Sequence, residues 1–322
     1  FIVLEVDAPA HTICAGDAAE LSASVETPPF EQDLEDHTKV GDVLCLRTIT
    51  DGAETVTDTI TLRPATFIQR ATAGENLTPL GVVFYVDRAN GTYGKALALV
   101  DAHSGYCMWA NEKNNKVNDG RDDNGNGNYL TANYDTNGLV NTQNMISSAT
   151  SNNTSSPAAQ YCYYYDPLTQ TQTTDNTPKG WYLPAFGEQS MCFAQRVVIN
   201  QTLRAVSDYL TNVSSSIHAT VPFDGLSSSS DYGYWTSTDY SNERAYLVNQ
   251  KGETRDHEKN RNSGNVNYAR AVCSFTAQPG GSKEPTGASV VQTIPPAKIG
   301  DLVEFQDGSK GVVCYVNPEN PY

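Results

Sequence analysis

The sequence predicts a mixed α+β fold in which antiparallel strands carry most of the core. Runs of Val, Thr, Ile and Leu at 43–49, 55–62 and 81–87 have the composition and spacing of strands. The segment 180–189 reads Gly-Trp-Tyr-Leu-Pro-Ala-Phe-Gly-Glu-Gln, a strand that ends in Leu-Pro and leads directly into a helix. An aromatic strand with hydroxyl residues, Tyr-Trp-Thr-Ser-Thr, follows at 234–238. These three observations indicate helices packed on a sheet.

The first thirty residues read as strand, turn and strand, and they end in the linker Thr27-Pro28-Pro29. Within them the phrase at 13–23, Ile-Cys-Ala-Gly-Asp-Ala-Ala-Glu-Leu-Ser-Ala, resembles the opening strands of immunoglobulin-like repeats in large bacterial surface proteins. The N-terminus lacks the basic start and cleavage site of a signal peptide. We therefore expect the chain to be a piece of a longer protein or a processed product, with residues 1–30 as the end of an immunoglobulin-like module.

Two hairpins are predicted next. Asp51-Gly52 is a turn between the strands 43–49 and 55–62, and Asn90-Gly91 joins the strand 81–87 to a partner at 95–100. The stretch 111–156 is dominated by Asn, Asp, Gly, Thr and Ser, which predicts a long irregular loop. A second loop is expected at 222–232. We expect any ligand to bind through these two loops.

Helices are predicted on either side of the Leu-Pro segment. Ser156-Pro157 has the form of an N-cap followed by a first-turn proline and opens a helix over 158–165. Helical spacing of apolar residues predicts one long helix over 188–210. Strands at 234–238, 245–249 and 268–275 complete the pattern.

An internal repeat follows a Pro/Gly-rich linker. Lys-Ile-Gly-Asp-Leu at 298–302 repeats Lys-Val-Gly-Asp-Val at 39–43, and 311–317 repeats 81–87. We therefore predict one complete domain over 31–277, a linker over 278–297 and a second, truncated copy of the domain over 298–322. Whole-domain repetition is typical of surface stalks and adhesins.

The charge balance restricts the class of partner. The formal net charge is −16, from 37 acidic and 21 basic side chains, and no Lys/Arg cluster offsets it. Such a chain repels nucleic acid and anionic membranes. No apolar window is long enough to span a bilayer. We expect neither nucleic-acid binding nor a membrane-spanning segment.

Seven cysteines stand at widely separated positions, and none forms the CxxC pair of a zinc or redox site. Two interpretations stay open at this point. In an oxidising compartment the chain has up to three disulfides and one remaining Cys. Alternatively, the cysteines are buried free thiols.

Six segments in order resemble the Fibrobacter major-paralogue domain family, which is similar to the C-type-lectin-like domains of bacterial surface proteins. They are Gly-Val-Val-Phe-Tyr-Val-Asp (81–87), Gly-Leu-Val-Asn-Thr (138–142), Pro-Ala-Ala-Gln-Tyr-Cys (157–162), Gly-Trp-Tyr-Leu-Pro-Ala (180–185), Tyr-Trp-Thr-Ser-Thr (234–238) and Ala-Arg-Ala-Val-Cys (269–273). The resemblance implies two helices flanking a twisted antiparallel sheet with long loops on one side. Trp181 and Trp235 are then expected to be core residues.

The resemblance also implies a disulfide. Lectin-like domains commonly join the first helix to the last strand, and Cys162 and Cys273 stand at those places. Cys107 with Cys192 and Cys14 with Cys45 are the further pairings that we consider.

A calcium site has limited support. Asp122, Asn124 and Asn126, followed by Gly127, have the spacing of ligands in a calcium loop. The twelfth position, however, is Asn133 rather than a bidentate Glu, and a solvated Asn/Gly-rich loop gives the same spacing. The Glu-Pro-Asn and Trp-Asn-Asp triplets of calcium-dependent lectins are absent from the sequence. We therefore favour a solvated loop and expect no cofactor.

Little in the sequence indicates an enzyme. The five histidines lie singly in polar segments, with no nucleophile–base motif around them. Tyr163, Tyr164 and Tyr165 are candidates for stacking on sugars or proteins.

The sequence thus predicts a non-enzymatic module of a large secreted protein on a bacterial cell surface, with an adhesive or structural role. Its partners would be other surface or secretion-machinery proteins, or host and glycan ligands. Two alternatives stay open: a phage-type fibre module for host recognition, and a glycan-binding accessory module.

Overall fold

The computed structural model describes residues 3–5, 24–26, 37–51, 54–87, 93–111, 132, 134–152, 155–222, 233–241, 243–249, 254–260, 267–276, 278–279, 302–304 and 310–312. These residues form a mixed α+β structure with mainly antiparallel sheets, which confirms the predicted class. In chain order the elements are β1 (Val3–Glu5), β2 (Ser24–Glu26), β3 (Val43–Asp51), β4 (Glu54–Leu62), α1 (Pro64–Thr72), β5 (Leu77–Val86), β6 (Tyr93–Ala98), α2 (Gly138–Asn152), α3 (Pro157–Tyr163), β7 (Tyr165–Asp166), β8 (Thr171–Gln172), β9 (Trp181–Tyr182), α4 (Phe186–Ala194), α5 (Arg196–Asn212), β10 (Gly233–Asp239), β11 (Arg244–Asn249), β12 (Thr254–Glu258), β13 (Val272–Thr276), β14 (Gln278–Pro279), β15 (Leu302–Glu304) and β16 (Lys310–Val312).

The main sheet has the strand order β14-β4-β3-β5-β6-β13-β9. All its neighbours are antiparallel except β14 and β4, which are parallel. Both predicted hairpins, β3–β4 and β5–β6, are confirmed. A smaller sheet has the order β10-β11-β12, in which the aromatic strand β10 pairs with β11.

The main sheet separates two apolar clusters, because successive side chains of a strand point to opposite faces. On β5, Val82 belongs to one cluster and Val83 to the other. The α5-side cluster includes Phe67 of α1 and Leu203 of α5. The α3-side cluster includes Cys162 of α3, Met145 of α2 and Trp235 of β10.

Two helices, α1 and α2, were not expected from the sequence. The prediction of a long irregular loop over 111–156 was wrong in part, because α2 occupies fifteen residues of it. The buried face of α2 is partly polar, because Asn141 and Thr142 are buried together with Met145. Helix α1 was not predicted; Pro64 stands in its first turn and Phe67 packs edge-on against Tyr209 of α5, at 5.4 Å between ring centroids.

The predicted helix 188–210 consists of two helices that meet at Gln195. Cys192 before the break and Ile199 after it both face the α5-side cluster. The apolar spacing therefore continues across the break, which is why periodicity alone predicted one helix.

The two halves of the internal repeat form strand pairs with the same register. In both ladders the first apolar residue after the Lys-x-Gly-Asp sequence lies opposite the Val that follows Gly. The pairs are Val43–Val82 and Leu44–Gly81 in β3–β5, and Leu302–Val312 and Val303–Gly311 in β15–β16. β4 and α1 lie between the strands of the first ladder, whereas only residues 305–309 separate those of the second.

Strands β1 and β2 pair antiparallel within the predicted strand–turn–strand segment. The rest of residues 1–30 lies outside the described residues, so the immunoglobulin-like assignment stays a prediction. None of the described helices is long and apolar enough to cross a membrane.

Candidate functional site

The tryptophans of the two most distinctive segments lie in the core, as predicted. Trp181 is 3% exposed and Trp235 is fully buried. The Trp235 Nε1–H donates to the carbonyl of Cys107 at 2.8 Å, and the Trp109 Nε1–H donates to the carbonyl of Thr236 at 2.7 Å. Two reciprocal bonds therefore join β10 to the segment 107–109. The indole N–H groups of Trp235 and Trp109 are both used in the core and are not available to a ligand.

Glu188 is the polar centre of the Leu-Pro segment. Its carboxylate accepts hydrogen bonds from Lys95 Nζ, from the Tyr182 hydroxyl at 3.0 Å and from the Ala185 N–H at 2.8 Å. Burial raises the pKa of Glu188, and the Lys95 ammonium opposes that shift. The carboxylate fixes the first turn of α4 against β6 and β9, which is a structural task.

Asp135 performs a similar task at the start of α2. Its Oδ2 accepts from the Thr238 hydroxyl at 2.6 Å and from the Asn141 amide at 2.9 Å. The Thr238 oxygen in turn accepts from the Phe186 N–H at 2.8 Å. The hydroxyl residues of the aromatic strand thus join three elements inside the core.

Lys259 is fully buried beside Trp109, with Nζ 4.7 Å from the ring centroid. Its ammonium lies 2.8 Å and 2.9 Å from the two carboxylate oxygens of Asp239. A buried cation needs such a partner because desolvation penalises its charged form. His257, which the sequence placed in a polar segment, is instead buried in β12 and contacts Asn267.

The described cysteines, 45, 107, 162, 192 and 273, are free buried thiols. Cys162 and Cys273 both belong to the α3-side cluster, but no bond joins them here, so their predicted disulfide stays a prediction. Cys107 and Cys192 belong to clusters on opposite faces of the main sheet, which argues against that pairing. Cys14 lies outside the described residues.

The candidate calcium ligands Asp122, Asn124 and Asn126 also lie outside the described residues. In the part of the chain that the structure does describe, no group of three or more His, Cys, Asp or Glu side chains is placed to hold a metal ion.

The three consecutive tyrosines at the end of α3 and the start of β7 differ in burial. Tyr165 is fully buried and packs edge-on against Trp181, with ring centroids 5.5 Å apart. Tyr163 and Tyr164 are half-buried and contact each other edge-on at 5.2 Å. Tyr165 is therefore a core residue rather than a ligand-stacking one.

An aromatic surface instead forms where the segment after β6 meets β10. Tyr106 is 46% exposed, and its ring lies 4.8 Å from that of Tyr268, which lies 5.7 Å from that of Tyr234. Beside them the rings of His103 and Tyr161 are 4.2 Å apart. Tyr234 itself is only 4% exposed, so we call the other four side chains, which are at least partly exposed, the aromatic patch.

A carboxylate lies at the base of the aromatic patch. Asp101 accepts a hydrogen bond from the Tyr234 hydroxyl at 3.1 Å and lies 3.5 Å from Nε of the buried Arg270. Burial raises the pKa of Asp101, and the Arg270 charge opposes that shift. Arg270 Nη2 also donates to the carbonyls of Leu99 and Thr220. These contacts therefore hold the Asp101 carboxylate and the Arg270 guanidinium in place next to the aromatic patch.

The chemistry available at the aromatic patch is stacking and hydrogen bonding. Tyrosine presents an apolar ring face and a polar hydroxyl, which suits ligands of mixed polarity. No sequence pattern indicated the patch, because Tyr106, Tyr161 and Tyr268 are far apart in the chain and stand in unrelated segments.

No family model, no curated protein and no solved structure matches this chain in comparisons with all three.

Proposed function

We propose that this chain is a non-enzymatic module of a secreted bacterial cell-surface protein, with an adhesive or structural role. The observation that carries the proposal is the repeated strand pair. A Lys-x-Gly-Asp sequence followed by a ladder of the same register occurs twice in one chain, in β3–β5 and β15–β16. Tandem copies of a domain multiply weak contacts through effective concentration, which suits attachment to a surface.

The buried charges support the same proposal. Glu188, Lys259 and Asp135 each bind groups on other elements and thereby hold the fold together. We propose a C-type-lectin-like scaffold, in which the α3 helix and the β10–β12 sheet flank the Leu-Pro segment. Its partners would be surface or secretion-machinery proteins, or host and glycan ligands.

Oligomeric state and turnover test this proposal. We expect the purified chain to be monomeric by light scattering and to leave glycoside and ester substrates unchanged. A stable trimer would favour a phage-type fibre module instead. Turnover that persists through repurification, and disappears after heat denaturation, would contradict the non-enzymatic role.

The aromatic patch supports glycan binding as a second candidate function. Stacked tyrosines can pack on the apolar face of a pyranose ring while Asp101 accepts a hydroxyl hydrogen. A glycan array probed with the full chain tests this candidate. We expect Tyr106→Ala to reduce any bound signal about tenfold or more, which corresponds to the loss of one good contact.

Tyr134→Ala is the matched control, because Tyr134 is 84% exposed and is not one of the patch residues. Equal losses from the two variants would show that the patch does not bind the glycan. If the chain bound proteins but no glycans, the proposal of an adhesive role would stand and the proposal of glycan binding would be rejected.

A further inference from the structure

Two thiols flank the long polar segment of the chain. Cys107 precedes it and Cys162 follows it, and both belong to the α3-side cluster. Cys273, the other described thiol in this cluster, lies in β13 opposite Ala96 and Trp181. Cys107 and Cys273 are therefore the two candidate partners for a disulfide with Cys162.

The chain before the polar segment and the chain after it run side by side in opposite directions. The Asn111 N–H donates to the Ser155 carbonyl at 3.0 Å, and the Ala158 N–H donates to the Met108 carbonyl at 3.1 Å. Further along, the rings of His103 and Tyr161 are 4.2 Å apart. His103 and Met108, which lie on either side of Cys107 in the chain, therefore contact Tyr161 and Ala158, which lie just before Cys162 in the chain.

Helix geometry directs the Cys162 side chain toward this segment. Cys162 lies one turn after Ala158 on the same buried face of α3. Side chains of a helix lean toward its N-terminus, so the Cys162 thiol leans toward the turn that contacts Met108.

The electrostatics of the thiols agree with this geometry. The pKa of Cys162 is raised well above its usual value, first by burial and next by the charge of Cys107. The pKa of Cys273 is raised to about 12 by burial, and a backbone hydrogen bond from Ala96 opposes that shift.

We infer that Cys107 and Cys162 form a disulfide that closes the base of the polar segment 112–154. The two thiols lose two protons and two electrons, and the Sγ–Sγ bond forms. A protein disulfide of the exporting compartment accepts the electrons through a mixed disulfide and leaves as a dithiol. Because Cys162 is fully buried and Cys107 is 6% exposed, the bond must form before the core closes.

Peptide mapping of the full chain, exported to a bacterial periplasm and purified without reductant, tests this inference. Free thiols are alkylated under denaturing conditions before digestion with trypsin. The cleavage sites place Cys107, Cys162 and Cys273 on separate peptides, 96–113, 122–179 and 271–283. We expect a cross-linked pair of 96–113 with 122–179, and alkylated Cys273.

Two results would overturn the inference: a link between 122–179 and 271–283, or full alkylation of all three peptides. A second measurement uses thermal stability. We expect dithiothreitol to lower the unfolding midpoint by roughly 5–10 °C in the wild type and in Cys273→Ser, but not in Cys162→Ser. An equal reductant effect in Cys162→Ser would also contradict the bond.

Discussion

Charged side chains in the interior of this protein are balanced by other buried groups. Lys259 contacts Asp239 and the face of Trp109, and Glu188 contacts Lys95. Removing one partner of such a pair leaves a buried charge, which costs more than the pair itself contributes. The atoms packed around these paired groups also limit the size of the side chains at neighbouring positions.

Gly138 is the residue most constrained by that packing. A Cβ at this position would lie 2.2 Å from Glu188 Oε2 and 2.7 Å from the Ala185 backbone nitrogen. We expect Gly138→Ala to lower the free energy of unfolding by about 2–3 kcal/mol, because the backbone of the Leu-Pro segment must move. Urea unfolding followed by circular dichroism measures the change.

Gly105→Ala is the matched control for that substitution. The nearest atoms to a Cβ at Gly105 belong to His103 and lie at 3.7 Å and 3.8 Å, which are ordinary contacts. We expect a change within about 0.5 kcal/mol. Equal effects at the two glycines would show that the Glu188 contact does not limit the site.

At the level of elements, β10 acts as the connection between the helices and the smaller sheet. All seven of its residues are buried, including its Thr and Ser side chains. The threonine hydroxyls are tolerated there because they bond to groups of the adjoining elements, whereas the Ser237 hydroxyl has no hydrogen-bond partner among the described residues. Thr236 donates to the Tyr246 carbonyl at 2.9 Å, and Thr238 bonds to Asp135 and Phe186.

Thr238→Val tests this connection while keeping the shape of the side chain. The substitution removes a donor to Asp135 and an acceptor for the Phe186 N–H. We expect the free energy of unfolding to fall by about 2–3 kcal/mol, because buried polar groups lose partners. Hydrogen exchange should show the largest loss of protection in the first turns of α2 and α4.

Thr57→Val provides the comparison, because Thr57 is exposed in β4. A β-branched apolar residue suits an exposed strand position, so we expect no measurable loss. If Thr238→Val were as mild as Thr57→Val, the hydroxyl bonds of β10 would not contribute to stability.

Considered as a whole, the molecule is strongly acidic and buries several carboxyl groups. Burial is the largest cause that raises the pKa of Asp42, Asp101 and Glu188 above the usual values of 3.8 for Asp and 4.5 for Glu. A carboxyl with a raised folded-state pKa contributes stability that is fully present below its unfolded pKa. That contribution is lost as the pH rises through the folded pKa.

We therefore expect the unfolding midpoint to rise as the pH is lowered from neutral toward the usual carboxyl pKa values of 3.8 and 4.5. Salt at about 0.5 M screens the long-range repulsion of the −16 net charge, so that the remaining slope reports the buried groups. Glu188→Gln should flatten the slope. Asp175→Asn should not flatten it, because Asp175 is exposed and hydrogen bonds with Thr177 lower its pKa. A midpoint that falls steadily on acidification would contradict the expectation.

Much of the fold could be predicted because its signals are local. Apolar runs and turn residues predicted β3, β4, β5 and β6, and Ser156-Pro157 predicted α3. The core positions of Trp181 and Trp235 also followed from the sequence. Helix α2 was missed because its buried face carries the polar residues Asn141 and Thr142 together with Met145, so no apolar stripe marks it in the sequence.

The sequence by itself determined the α+β class, both central hairpins and the repeat of the Lys-x-Gly-Asp segment, because strand period and turn chemistry act between near neighbours. The pairing of β3 with β5, which are separated in the chain by β4 and α1, did not follow from the sequence. Only the tertiary structure decided which cysteines share a face of the sheet and which tyrosines meet at the surface. Tyr106 and Tyr268 stand on segments far apart in the chain, which meet through the Cys107–Asn267 bridge and through the bond from the Ala102 N–H to the Ala269 carbonyl. Such contacts depend on how the whole chain packs, and no local pattern encodes them.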